Sequence, residues 1–325
     1  MPRLVPGGAH QPNPAAYFLT GRVEQWLDIQ RRRVRSTITA QQPDGSFRYR
    51  GKFQRGHFED TASGWCAQHA PVLLEHARLT GDRDALGAGL RALEYMKRFR
   101  TPRGAQTWEL SLHTPDILAS AHLVWCYVRG YELTGRQGYL HLARKRALSG
   151  VPFVYQWSKY PIMAYATIPV YGATHWRAPN WMGLPVQWCG LRYAYAIALL
   201  APYDDTLNWK KLAQGILNAG EQMQYPDGPL AGCLPDVFRL ESQERAGPSI
   251  NPCALVSLRL MLEGDLDSLA VARVGDHRLV APFPIEVRDG RPVVHARRGL
   301  RYQVLLDGER VLSVESDGED SLPVD

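Results

Sequence analysis

Apolar residues recur at helical spacing through most of this chain, in segments that alternate between two kinds. Thr61 to Thr80, "TASGWCAQHAPVLLEHARLT", is apolar with small residues and ends at "TGD"; Ala85 to Phe99, "ALGAGLRALEYMKRF", is amphipathic. The unit recurs as "PDILASAHLVWCYVRGYELT", "TGR" and "YLHLARKRAL". A third pass has "PVQWCGLRYAYAIALLAP" and then "DDTLNWKKLAQGILNAGEQMQ", and a fourth begins at "NPCALVSLRLMLEG". Each unit pairs an apolar helix, suited to an inner position crowded by neighbours, with a Lys- and Arg-bearing helix suited to face water. A long aromatic loop follows, giving helical hairpins with a period of roughly 50 residues.

The phase of the repeat is marked by two Pro-Asp-Gly turns, in "QQPDGSFRY" and "QYPDGPLAG". Pro fixes φ and Gly accepts positive φ, so both are ordinary turns, and each follows an outer helix: Val23 to Ile38 and Leu212 to Met223. The "TGD" hairpin turns and the aromatic, "PDG"-bearing loops resemble those of the α/α-toroid enzymes, the six-hairpin glycosidase-like and polysaccharide-lyase group, over roughly Tyr17 to Gly264. The resemblance implies a mainly α chain: an α/α toroid of helical hairpins followed by a small β-domain. "EDTASGWCAQHAPVLLEHARLTGD" also looks like a hairpin of the arabinofuranosidase branch. The nucleophilic Cys and clustered Cys zinc ligands of that branch have no counterparts here, so its chemistry is not implied. The count gives three full hairpins and two halves, against about twelve helices in a closed ring. On that expectation the ring is a reduced one, or it is completed by a second copy of the chain or by a missing upstream segment.

Beyond about Leu266 the period changes to two. "HRLVAPFPIEVRDGRPVVHARRGLRYQVLLDGERVLSV" alternates β-branched residues between "RDG" and "LDGE" turns, which predicts four or five short antiparallel strands, and the acidic tail "ESDGEDSLPVD" reads as frayed. The expected organisation is an N-terminal extension over 1–16, the helical toroid over 17–265 and the β-domain over 266–325. The net charge is +6 over 325 residues, which suits an acidic partner, an acidic saccharide included, but the charge is diffuse and its densest run, "RRRVR", fits a solvated helix face. No nucleic-acid-binding motif accompanies it. Five widely spaced cysteines with no C-x-x-C pair point to reduced thiols, and Cys66, Cys126 and Cys189 sit among apolar helix residues as buried side chains. The N-terminus lacks the apolar core of a signal peptide, and no run approaches the ~18 apolar residues of a membrane span, so the expectation is a soluble cytoplasmic chain with no membrane partner.

Chemistry is expected where loops enter the inner helices, because those loops converge on one face. "GHFEDTASG" supplies His57, Glu59 and Asp60, of which Asp60, or Thr61, could simply cap a helix. "TWELSLHTPD" supplies Trp108, Glu109 and His113, with Thr114-Pro115 as a helix cap and Asp116 beside it. The connection "YPIMAYATIPVYGATHWRAPNWMGLPVQWCG" is too aromatic for disorder; it offers Tyr171, His175, Trp176, Arg177, Trp181, Gln187 and Trp188, which either bind sugar faces or fill the interior of the ring. Asp236, after the second "PDG" turn, is a further wall carboxylate or a cap.

Two reactions fit this inventory. Glycoside hydrolysis needs two carboxylates across the scissile bond, here Glu109 with Glu59 or Asp60. A uronate lyase needs a His or Tyr base and a carboxylate neutraliser, here His113 or His175 with Tyr171 and Arg177. The toroid resemblance implies hydrolysis ahead of elimination, and a non-catalytic sugar-binding or scaffolding toroid is the third reading. Neither reaction calls for a cofactor or metal. "QQPDGSF" also resembles a triterpene-cyclase repeat, but the D-x-D-D acid motif is absent, as are prenyltransferase-like zinc spacing and the common nucleotide, zincin and serine-hydrolase motifs.

Overall fold

A computed structural model describes residues 14–51, 59–108, 110–170, 184–264 and 269–323. The helical period was read correctly: α1 (Ala15–Leu19) and α2 (Val23–Ala40) are followed by the hairpins α3 (Ser63–Thr80) with α4 (Arg83–Met96), α5 (Ile117–Thr134) with α6 (Gln137–Gly150), and α7 (Gln187–Leu200) with α8 (Trp209–Met223), then by α9 (Cys253–Glu263). The "TGD" turn works the same way twice. Gly81 and Gly135 take φ +82° and +68°, closing their helices in the left-handed conformation. The preceding threonines, Thr80 and Thr134, donate back to His76 O and Gly130 O. Asp82 then accepts from Ala85 N at 2.9 Å, so one tripeptide stops α3 and starts α4.

Contacts divide the chain into two compact units. Within the described residues the first comprises 41–71 and 90–263, and the second comprises 12–40, 72–89 and 264–325. This differs from the division read from sequence texture, which placed 17–40 and 72–89 with the helical hairpins.

In the first unit α5 and α7 form the centre of the core. From Ile117 to Gly130 every residue of α5 is buried except His122 and Trp125. All of α7 is buried except Arg192 and Tyr195. The sequence did not suggest strands here, yet β1 (Leu234–Arg239) and β2 (Glu244–Ile250) form an antiparallel hairpin. Its register shifts between Pro235 and Val237, so that Gly247 and Pro248 together oppose Asp236. Gly247 has φ +77° and would carry a Cβ within 3.0 Å of the Asp236 Cβ, a position that favours glycine on both counts. The cysteines are unpaired as expected, with Cys66, Cys126 and Cys189 buried.

The second unit holds seven strands, more than the four or five expected: β3 (Ala270–Val274), β4 (His277–Ala281), β5 (Ile285–Arg288), β6 (Arg291–His295), β7 (Arg301–Leu306), β8 (Arg310–Glu315) and β9 (Glu319–Ser321). They make two antiparallel sheets, ordered β3-β4-β7-β8 and β5-β6-β9. Phe18, Trp26, Leu27 and Leu79 pack with Leu269, Val280 and Leu305 in one core. The acidic tail is not frayed over its described length. Its Asp320 accepts from Tyr302 Oη at 2.8 Å, Leu322 is buried in the second core, and β9 pairs with β6. Among the described residues no helix is long and apolar enough to cross a membrane.

Candidate functional site

The loops that enter the inner helices of the first unit are laced together by backbone and side-chain hydrogen bonds. Gly64 N, at the start of α3, donates to Arg103 O, and Gly104 N donates to Thr114 O. Ile117 N, at the start of α5, donates to Pro169 O, and Gln106 Nε2 reaches the same carbonyl. Val186 N, just before α7, donates to Thr167 O, and Phe238 N of β1 donates to Pro185 O. These bonds link the entrances of α3, α5 and α7 to β1, so polar side chains from segments distant in sequence share one face.

Three sequence-predicted residues meet on that face. Trp188, in the first turn of α7, donates its indole N–H to Asp236 Oδ1 at 2.9 Å. Trp108 stacks on Trp188 with ring centroids 6.2 Å apart and planes 29° apart. Trp188 is 7% exposed and Trp108 46% exposed, so one indole is set in the wall and the other offers its face to solvent. Burial raises the Asp236 carboxyl above the ordinary aspartate range, and the Trp188 hydrogen bond only partly opposes this. Oδ2 has no hydrogen-bond partner among the described residues. Asp236 caps no helix; it stands in β1, aimed by the bulge across from Gly247.

Glu59 and His113 meet around Arg103. The Arg103 guanidinium donates to Glu59 Oε2 and, at 3.0 Å, to both His113 Nδ1 and Leu112 O. His113 Nδ1 is therefore an acceptor, which puts the ring proton on Nε2. Arg98, Phe99, Arg100, Thr101 and Pro115 complete an open cleft of about 390 Å³. Arg146 donates to the carbonyls of two lining residues, Phe99 O and Arg100 O. Asp60 turns elsewhere: its carboxylate pairs with Arg48 at 2.6 Å, so it neither caps α3 nor joins Glu59.

Two further residues are structural in their bonding. Gln187 accepts from Thr167 N and Thr167 Oγ1 and donates to Tyr165 O and Ile216 O, which engages both ends of its buried amide. Asp116, rather than Thr114, caps α5: Oδ1 accepts from Ala119 N at 2.7 Å and Oδ2 from Ala105 N at 3.0 Å. Burial pushes this carboxyl up to about 7 against those two donors. His57, Glu109, Tyr171, His175, Trp176, Arg177 and Trp181 lie outside the described residues. Among the described residues no three His, Cys, Asp or Glu side chains gather as metal ligands. The sequence reading passed over His122 and Arg192, because it looked for function in loops. A His and an Arg inside the two most apolar helices were the available signal.

The fold is that of the α/α toroids, with a small antiparallel sheet region toward the C-terminus. Among solved structures the chain is similar to an inactive variant of an α-1,6-mannanase of Salegentibacter sp. HEL1_6 in complex with α-1,6-mannotriose, at 15% identity and TM-score 0.54, covering 74% of this chain and 64% of that one. It is also similar to an unsaturated glucuronyl hydrolase from Bacillus sp. GL1 (13% identity, TM-score 0.51, 75% of this chain and 69% of that one). A sugar epimerase from a ruminal bacterium gives 12% identity and TM-score 0.51, over 74% of this chain and 67% of that one. The chain thus spans less than two thirds of the mannanase's length. No protein-family model and no curated protein sequence matches it.

Proposed function

We propose that this chain is a carbohydrate-active enzyme, a glycoside hydrolase that seats a sugar on Trp108 and uses the Asp236 carboxyl as its proton donor. The observation that carries the reading is the Trp108–Trp188–Asp236 constellation, an exposed aromatic platform beside a half-buried carboxyl with raised pKa. Flat indole faces suit sugar C–H surfaces, and a carboxyl whose burial favours the protonated form suits protonation of a glycosidic oxygen. The mannanase, the glucuronyl hydrolase and the epimerase of like fold are all named for sugar substrates, which supports the substrate class.

In the proposed reaction Asp236 passes its proton to the bridging oxygen as the glycosidic C–O bond breaks. A second carboxylate activates water or bonds to the sugar. Glu109, next to Trp108 in sequence, is the candidate for that role. Glu59 has one oxygen engaged by Arg103, which fits it better to holding the cleft than to the bond-breaking step. Uronate elimination is the second reading, favoured by the arginine-lined cleft around His113.

Substitution separates catalysis from binding. Asp236→Asn and Glu109→Gln should each lower turnover by about 100-fold or more while sugar binding persists. A protein whose sugar affinity is the only measurable activity, unchanged by both substitutions, would be a binding module instead.

A further inference from the structure

The inner helices of the first unit are buried except along one narrow line each. On α7 that line is Arg192 and Tyr195; on α5, before its last turn, it is His122 and Trp125. On the first half of α3 it is Trp65, Gln68 and His69. Residues three or four apart share a helix face, so each set is a stripe, and in an α/α toroid the stripe of an inner helix that keeps access to solvent is the one facing the ring's interior. None of these residues is aliphatic and none is acidic. Helices α5 and α7 pack on each other, and the Arg192 charge is felt at the His122 ring, so the two stripes lie within electrostatic reach. Arg192 also stands one turn along α7 from Trp188, on the same face and about 6 Å farther along the axis.

Arg192 is the unusual member. Among the described residues it makes no hydrogen bond and no ion pair, and burial pulls its pKa down from the ordinary arginine value. His122 is pushed down to about 3 by burial and by Arg192, so its ring is neutral and adds no competing charge. Tyr195 is the neighbour that helps keep Arg192 protonated. A half-buried cation without a partner is costly to keep, and the guanidinium fork matches a carboxylate in shape as well as charge.

We propose that Arg192 receives the carboxylate of a uronate residue bound between α5 and α7, with His122 and Tyr195 as neutral hydrogen-bonding neighbours. The substrate is then an acidic saccharide that runs from the Trp108 platform into the ring. This rests on the reading of Trp108, Trp188 and Asp236 as a sugar site, and it adds the charge of the sugar.

The test is an NMR titration of the intact protein with D-glucuronate and with D-glucose at fixed ionic strength, following the His122 imidazole resonances. Glucuronate should shift those resonances and bind about tenfold more tightly than glucose. Arg192→Gln should abolish that preference without weakening glucose binding, and Arg192→Lys should retain part of it. Arg192→Gln should also leave the melting temperature unchanged or raised, because it removes an unpaired half-buried charge. Equal binding of the two sugars, a preference that survives in Arg192→Gln, or a silent His122 overturns the proposal. So does a lowered melting temperature, which would reveal a structural counter-charge. None of these outcomes touches turnover by the wild-type chain or its loss in Asp236→Asn, so the hydrolase reading stands or falls separately.

Discussion

The Trp188 indole N–H reaches Asp236 Oδ1 at 2.9 Å across 48 residues of sequence, joining the first turn of α7 to the bulged strand β1. A hydrogen bond donated to a carboxylate favours its charged form, so this contact holds Asp236 lower than burial alone would. Trp188→Phe keeps an aromatic wall under Trp108 but removes the donor. The Asp236 pKa should rise further, and because a general acid works only while protonated, the alkaline limb of the pH–rate profile should move to higher pH. A profile unchanged in Trp188→Phe would take Asp236 out of the acid role.

Trp108 is nearly half exposed, and its ring contact is the stack on Trp188. Trp108→Ala should weaken sugar binding by about tenfold, the loss of one stacking face, while the unfolding free energy falls by only about 0.5–1.5 kcal/mol, the worth of the stack on Trp188. Isothermal titration with a bound oligosaccharide, beside urea unfolding, separates the two effects.

Gln187 should behave in the opposite way. Gln187→Leu leaves Thr167 N and Tyr165 O without this partner and removes a second hydrogen bond from Ile216 O, which keeps its place in the α8 ladder. Each orphaned group costs about 1–3 kcal/mol, so unfolding should come at clearly lower urea. A variant of normal stability with weakened sugar binding would return Gln187 to the list of sugar ligands.

Asp116 gives stability a pH dependence. Its carboxyl holds its proton up to about 7 in the folded chain but loses it near 3.8 when unfolded. Between those values the folded state binds more protons, so this contribution to stability falls as pH rises from about 4 to about 7. His122 acts in the contrary sense: the folded ring at about 3 against 6.5 unfolded makes stability rise with pH over that interval. The Asp116 effect is therefore read as the difference between wild type and Asp116→Asn, measured by chemical unfolding from pH 4 to pH 7. That difference should shrink as pH rises.

The hairpins were legible because burial of α5 and α7 against amphipathic partners writes a helical period directly into the sequence. The turns were legible too. "QQPDG" follows α2 as expected, with Gly45 at φ +88° so close to the Arg91 carbonyl that a Cβ would stand 2.3 Å from it. The strand carrying Asp236 was not, because Pro235, Gly247 and Pro248 break the alternation that marks strands. That same irregularity aims the carboxylate. The separation of Glu59 from Asp60 was hidden as well, since Arg103 and Arg48, which draw them apart, are distant in sequence. Arg192 and His122 looked like ordinary members of apolar helices until the packing showed the stripes they occupy.

Cleavage of glycosidic bonds at the convergent loop face is open to direct measurement. The direct measurement is a screen of the purified chain against neutral and uronate polysaccharides, following new reducing ends together with absorbance near 235 nm. Reducing ends that appear without new absorbance, and vanish in Asp236→Asn, are the predicted result. New absorbance would mean elimination instead of hydrolysis, and silence in both channels across the screen would contradict the claim that this site is a hydrolase.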